Sequence, residues 1–351
     1  MSYGTVQAEQ MTTQSGFTLG AGNASSFKNR IINGAMGIAQ RGTGSTSVQT
    51  STTYASCDRW ASYATQNSKY TVQQSSTAPT GFSNSLLATS SAATSLSASD
   101  YYVFVQPIEG FNFADLGFGT ATAKTVTLSF WVQSSLTGTF GGALANYAGS
   151  RSYPFTYTIS SANTWTQISV TIAGDTSGTW VGASNAGAAI LYFGLGAGST
   201  YSGTAGAWAG ANYLSATGAT SVVGTNGATF YITGVQFEVG TVATSFDFRS
   251  YGTELALCQR YYEQFVVGSG APDNILLSGV LTGSNCTSTA FFKVTKRANP
   301  SWALLSGTSW TNTPNNSQTS TNAAVFQNTT SGYFYLGGGS AGQGISFSAE
   351  L

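Results

Sequence analysis

The side chains of this sequence that could do acid and base chemistry are carboxylates, because the chain has no histidine at all. Imidazole is the usual proton carrier and zinc ligand near neutral pH, so histidine-based triads and nearly all zinc sites are excluded. Glycoside hydrolysis remains open in principle, since it needs only two carboxyl groups about 5 to 10 Å apart. Glu109 and Asp115, separated by Gly-Phe-Asn-Phe-Ala, form one such pair, and Asp58 beside Arg59 offers another acidic position. Both read more simply as loop and turn hydrogen-bonding groups. The expectation is therefore a protein that is not an enzyme and carries no cofactor or metal.

Binding chemistry is better supplied. Aromatic residues make up 13% of the chain, and amides and hydroxyls surround them. A sugar ring stacks its apolar face on tryptophan or tyrosine while amides bond its hydroxyls. Trp131 and Trp165 alternate with apolar neighbours and read as core. Trp180 and Trp208 lie in Gly/Ser/Thr-rich stretches and read as exposed. Near the C-terminus, Trp302, Trp310, Tyr333 and Tyr335 occur among Asn312, Asn315, Asn316 and Gln318. That uncharged mixture suits a neutral glycan, and it equally suits an oligomer interface.

Composition sets the frame for these residues. Apolar content of 41% suffices for a core, whereas 7% charged residues lies far below the usual quarter. Twelve basic and twelve acidic residues cancel, which argues against nucleic acid or an anionic membrane as partner. A nearly uncharged surface protects a monomer poorly against association, so an oligomer is expected. Residues 1–20 lack the cationic start and apolar run of a secretory leader, and no stretch approaches the roughly 18 apolar residues of a membrane span. Cys57, Cys258 and Cys286 are too few and too scattered for a disulfide framework and read as buried thiols.

The elements that must hold these residues are mostly strands. In Thr125 to Val132 the side chains of Val126, Leu128, Phe130 and Val132 share one face, and similar runs cover 153–159, 166–172, 189–195 and 229–237. Short strands between turn-forming clusters indicate a jelly-roll β-sandwich. One segment reads as helix: from a cap at Thr253, Leu255, Cys258, Tyr262 and Phe265 recur at steps of three and four. Charge is distributed unevenly around it. Asp175 is the one charge from Ser152 to Phe237, and 298–349 holds none, yet six charges fall between Glu238 and Glu263. This reads as a junction where ion pairs fix neighbouring domains or subunits.

The fold expected is all-β: an N-terminal attachment segment (1–27), a jelly-roll sandwich (28–250), a short helical neck (251–266) and a smaller C-terminal β-sandwich domain (267–351). The neck residues Leu255, Cys258, Arg260, Tyr262 and Phe265 are the candidate oligomer contacts. In the last unit, strands are expected at 274–281, 289–296, 332–336 and 345–348.

Several motifs carry a family resemblance. Asn29-Arg-Ile-Ile-Asn-Gly-Ala-Met36, Ala162-Asn-Thr-Trp-Thr-Gln-Ile-Ser-Val-Thr-Ile-Ala-Gly-Asp175 and Phe230-Tyr-Ile-Thr-Gly-Val-Gln-Phe-Glu-Val-Gly240 resemble the first, central and last strands of jelly-roll carbohydrate-binding modules. Together with Gly20-Ala-Gly-Asn-Ala24, Leu128-Ser-Phe-Trp-Val-Gln-Ser134 and Tyr251-Gly-Thr-Glu-Leu-Ala-Leu-Cys-Gln-Arg-Tyr-Tyr-Glu263, they also resemble bacteriophage tail-fibre proteins of cyanophage and marine-phage type, over residues 1 to 265. The resemblance implies a homotrimer in the virion. Its N-terminal segment would meet tail or baseplate proteins, and its distal end would bind host surface polysaccharide, with no nucleic acid and no membrane insertion; a structural fibre shaft, baseplate adaptor or head decoration without receptor contact is the alternative, and a polysaccharide depolymerase a more distant one. Gly37 and Thr233-Gly234 stand where such modules carry calcium-binding acids, so the resemblance brings no calcium site with it.

Overall fold

The computed structural model describes residues 28–267, 280–282, 285–304, 325–327, 331–335 and 343–351, together with the short strands β1 (Gln10–Thr12) and β2 (Thr18–Gly20), which pair antiparallel. Two compact units divide at Arg249/Ser250, and the final residue belongs with the first.

The first unit is a jelly-roll sandwich. Its strands in chain order are β3 (Thr46–Ser47), β4 (Ala61–Ala64), β5 (Tyr70–Ser75), β6 (Ser85–Ser90), β7 (Tyr101–Glu109), β8 (Val126–Ser134), β9 (Gly138–Asn146), β10 (Ser152–Ile159), β11 (Thr166–Ile172), β12 (Gly187–Ala197), the two-residue pair β13 (Ser202–Gly203) and β14 (Ser215–Ala216), and β15 (Thr229–Val239). They form a five-stranded sheet ordered β10-β9-β12-β7-β4 and a six-stranded sheet ordered β11-β8-β15-β6-β5-β3. The chain crosses repeatedly between the sheets, so strands adjacent in sequence often lie on opposite layers.

Alternation along the strands explains the core. Val126, Leu128, Phe130 and Val132 of β8 turn inward, as do Leu191, Phe193 and Leu195 of β12 on the facing layer. Rings bridge the layers, with Phe130 of β8 5.0 Å from Phe193 of β12 and Phe104 of β7 6.3 Å from Phe230 of β15. Each such buried side chain contributes about 1.5–3 kcal/mol. Cys57 is buried in this unit and Cys258 in the second, while the Cys286 side chain lies outside the described residues.

The motif Asn29 to Met36 is a bend that closes the sandwich, where the resemblance implies a first strand. Its asparagines do the closing. Asn29 accepts from the backbone N–H groups of Ile31 (2.9 Å) and Phe237 (3.0 Å) and donates to the Val235 carbonyl (3.0 Å). Asn33, at φ 57, donates to the carbonyls of Ile38 and Asp58. Gly34 follows because a Cβ there would lie 2.1 Å from the Val235 oxygen.

The second unit contains α1 (Tyr251–Gln259), β16 (Tyr262–Val267), β17 (Val280–Thr282), β18 (Asn285–Phe291), β19 (Ser301–Leu304), β20 (Val325–Gln327), β21 (Ser331–Tyr335) and β22 (Gln343–Ser348). Its sheets are ordered β16-β22-β19 and β17-β18-β21-β20. The helix is shorter than the expected neck. Ser250, not Thr253, caps it by accepting from the Thr253 N–H, and it stops at Gln259. Tyr262 and Phe265 then lie on β16, because the aromatic and β-branched run Tyr-Tyr-Glu-Gln-Phe-Val-Val prefers a strand. Cys258, Tyr262 and Phe265 are buried inside this unit, with Leu255 and Arg260 half-buried. The strand expected at 289–296 ends at Phe291, and Lys296 beyond it turns inward. Members of the charge run bond within each unit. Glu238 accepts from Thr244 and Gln236, and Arg249 donates to the Ile31 carbonyl, while Glu263 pairs with Lys296 at 2.6 Å.

Candidate functional site

The loop tryptophans are tied into the end of the sandwich. Trp180 and Trp208 are half-buried, their rings 5.6 Å apart and packed around Phe118. The Trp208 indole N–H donates to the Ala173 carbonyl (2.7 Å), and that of Trp180 donates to Asp175 (3.3 Å) and the Ser177 carbonyl (3.2 Å). Glycine-rich flanks suggest exposure; instead these loops fold back over the sandwich end. Trp131 and Trp165 depart in the other direction. Both are half-buried on the outer face of the six-stranded sheet, since the core positions of β8 are the even-numbered ones. Trp302 is half-buried on β19 opposite Phe347. Tyr333 and Tyr335 lie on β21, and Trp310, Asn312, Asn315 and Asn316 fall outside the described residues.

The carboxylates have structural partners. Asp115 forms a two-point ion pair with Arg30 (2.8 and 2.7 Å). Asp58 is buried and accepts from the Gln40 backbone and side chain, and Glu109 is buried at the end of β7. Among the described residues no group of three potential metal-ligating side chains occurs.

A surface that the sequence pattern does not mark is the outer face of the five-stranded sheet. Ala61 of β4, Val103 and Val105 of β7, Ala143 and Ala145 of β9, and Ile190 of β12 form an apolar floor there, with Leu214 from the following connection. Tyrosines stand on that floor. Tyr63, Tyr101 and Tyr192 come from β4, β7 and β12, which are neighbours in the sheet, and Tyr147 follows β9 directly. Tyr192 pairs with Val105 on one side and Ala143 on the other, and at 6% exposure it is buried among the other tyrosines. Tyr101 meets Tyr201 edge-on at 4.9 Å, and Tyr54 packs on the same cluster beneath the Arg41 guanidinium, 5.3 Å from its ring. The segment at Ser215–Ala216 crosses the sheet over Gly141 and Gly194.

Burial raises the hydroxyl pKa of three of these phenols, Tyr63, Tyr101 and Tyr192. Burial pushes the Tyr192 hydroxyl well above the ordinary tyrosine range, and the neighbouring Tyr63, Tyr101 and Tyr147 push in the same direction. Burial likewise raises Tyr63, with Tyr147 adding and a hydrogen bond to Thr52 opposing, and it raises Tyr101 with help from Tyr201. The face offers the half-buried rings of Tyr63, Tyr101 and Tyr201 and the exposed ring of Tyr147, with Tyr192 buried among them.

No family profile matches the sequence, and no curated protein matches it. Several solved structures are similar in part. The enzymatically active domain of tailspike protein 4 from bacteriophage CBA120 is 14% identical over 62% of this chain, at a TM-score of 0.35, and the match spans 22% of that tailspike chain. The family 11 carbohydrate-binding module of a Clostridium thermocellum cellulase is 14% identical over 57% of this chain and 98% of its own, at 0.29. A putative sugar-binding protein of Bacteroides thetaiotaomicron is 11% identical over 61% and 100%, at 0.30.

Proposed function

We propose that the protein binds neutral polysaccharide of a bacterial surface on its tyrosine face, without cleaving it, as an attachment protein of a bacteriophage tail fibre. The observation that carries this reading is the set of partly exposed tyrosines, Tyr63, Tyr101, Tyr147 and Tyr201, around buried Tyr192 on an apolar floor. Ring faces accept the C–H face of a sugar and phenol hydroxyls exchange hydrogen bonds with its hydroxyls. The tail-fibre placement rests on the sequence motifs that resemble that family. In this reading residues 1–27 join the protein to tail or baseplate, and a homotrimer multiplies weak sites by avidity.

Incubating the purified oligomer with bacterial envelope polysaccharides tests both halves. Retention on the polysaccharide without new reducing ends is expected. Chain shortening replaces binding with hydrolysis, and no retention on any envelope preparation removes the attachment role in favour of a structural one.

A further inference from the structure

The opposite side of the sandwich carries a second aromatic surface. On the outer face of the six-stranded sheet, Gln133 of β8 pairs with Tyr231 of β15, and the β11 register, continued by one residue, sets Trp165 on the other side of Gln133. The next outward rung reads Gln167, Trp131, Thr233. Neither rung holds a charge. The rings of Trp165 and Tyr231 meet at 6.2 Å across Gln133. One acceptor beside these rings can meet a ligand: Gln133 Oε1 is unbonded on a half-buried side chain, whereas Thr233, its hydroxyl also unbonded, is 0% exposed and belongs to the packing beneath. Such atoms are uncommon in folded proteins and call for a donor.

We propose that this face is a second binding site for neutral glycan. A protein partner or a second copy would favour a continuous apolar patch, but here an amide or hydroxyl interrupts the rings in each rung. An anionic ligand has no cation to meet in either rung. A polyol fits, because its hydroxyls supply a donor to Gln133 while its C–H faces stack on Trp131 and Trp165. Gln133 is half-buried, so rotation of its terminal amide brings the acceptor to a ligand. The site shares no residue with the tyrosine face and stands independently of it.

The test uses the full chain and a panel of neutral polysaccharides, namely dextran, mannan, galactan and mixed-linkage glucan, with dextran sulfate as the anionic control. Trp131→Ala and Gln133→Met are compared with Tyr192→Ala by affinity electrophoresis, alongside urea melts and sedimentation. Gln133→Met is expected to weaken neutral-glycan binding by about tenfold while leaving the urea midpoint equal or higher, because an apolar replacement removes an unsatisfied acceptor. A residue with only a packing role lowers the midpoint and spares the glycan. Full retention of binding in both Trp131→Ala and Gln133→Met overturns the proposal, as does a change in oligomeric state, which assigns the face to a second copy. Loss in Tyr192→Ala alone sinks the second site and keeps the first; loss in Trp131→Ala and Gln133→Met alone does the reverse.

Discussion

Asp175→Asn separates framework from ligand contact at the end of the sandwich. The Asp175 carboxylate accepts two hydrogen bonds of 2.7 Å from Arg151, one from the Ser177 N–H and one from the Trp180 indole. Its side chain is 2% exposed and that of Arg151 19%. Removing one charge of a buried pair costs about 3–5 kcal/mol. Arg151 regains some water through its exposed part, which brings the expectation down to about 2–3 kcal/mol. In a unit of this size each kcal/mol moves the melting temperature by about 2–4 °C, so a fall of about 4–12 °C is expected. Thermal melts and glycan affinity are measured on the same preparation. A lower melting temperature with unchanged affinity is the expected result. An unchanged melting temperature with lost affinity refutes the reasoning, because it makes Trp180 and Trp208 ligand contacts.

Three further outcomes follow from other parts of the chain. Asp100 accepts from the Ser97 N–H, Thr65 and Gln66, and the Ser97 bond foremost holds its carboxyl below the usual range. With a folded pKa below the unfolded value of about 3.9, its stabilisation is present above that pH and fades as pH falls through the folded value. Asp100→Asn is therefore less stable than wild type at pH 7, and the two converge in acid; an equal gap at both pH values contradicts this. Gly234 sits at φ 61, where a Cβ would lie 2.7 Å from Phe82 and 3.0 Å from Trp131, so Gly234→Ala loses about 1–2 kcal/mol or more in a urea melt. Lys296→Met leaves the Glu263 carboxylate buried without its ammonium, which costs about 3–5 kcal/mol, and adding Glu263→Gln restores much of it. A double variant as unstable as the single one removes the pair from the explanation.

The strands of the sandwich are legible where one face is polar. Thr166–Ile172 alternates cleanly, and its sequence pattern has the ends seen in the structure. β7 and β12 carry apolar residues on both faces, as in Tyr-Tyr-Val-Phe-Val and Ala-Ile-Leu-Tyr-Phe, so alternation cannot say which tyrosines look outward. The tyrosine face is hidden for that reason: its residues come from strands far apart in sequence, and only sheet order brings them together. Trp131 is a different case, since its parity with Thr127 and Ser129 marks it as outward even though its apolar neighbours suggest core. Spacing at three and four carries the expected helix past Gln259 because Tyr262 and Phe265 happen to continue it.

The most direct measurement is a titration of one neutral envelope polysaccharide into the full-length protein and into Tyr192→Ala and Tyr63→Ala. The second variant guards against misfolding, because Tyr63 is less buried than Tyr192. If the tyrosine face holds the glycan, Tyr63→Ala removes a stacking surface and Tyr192→Ala removes the buried ring that supports its neighbours, and each weakens binding by about tenfold or more while the melting curve keeps its cooperativity. Wild-type affinity in both folded variants contradicts glycan binding at this face.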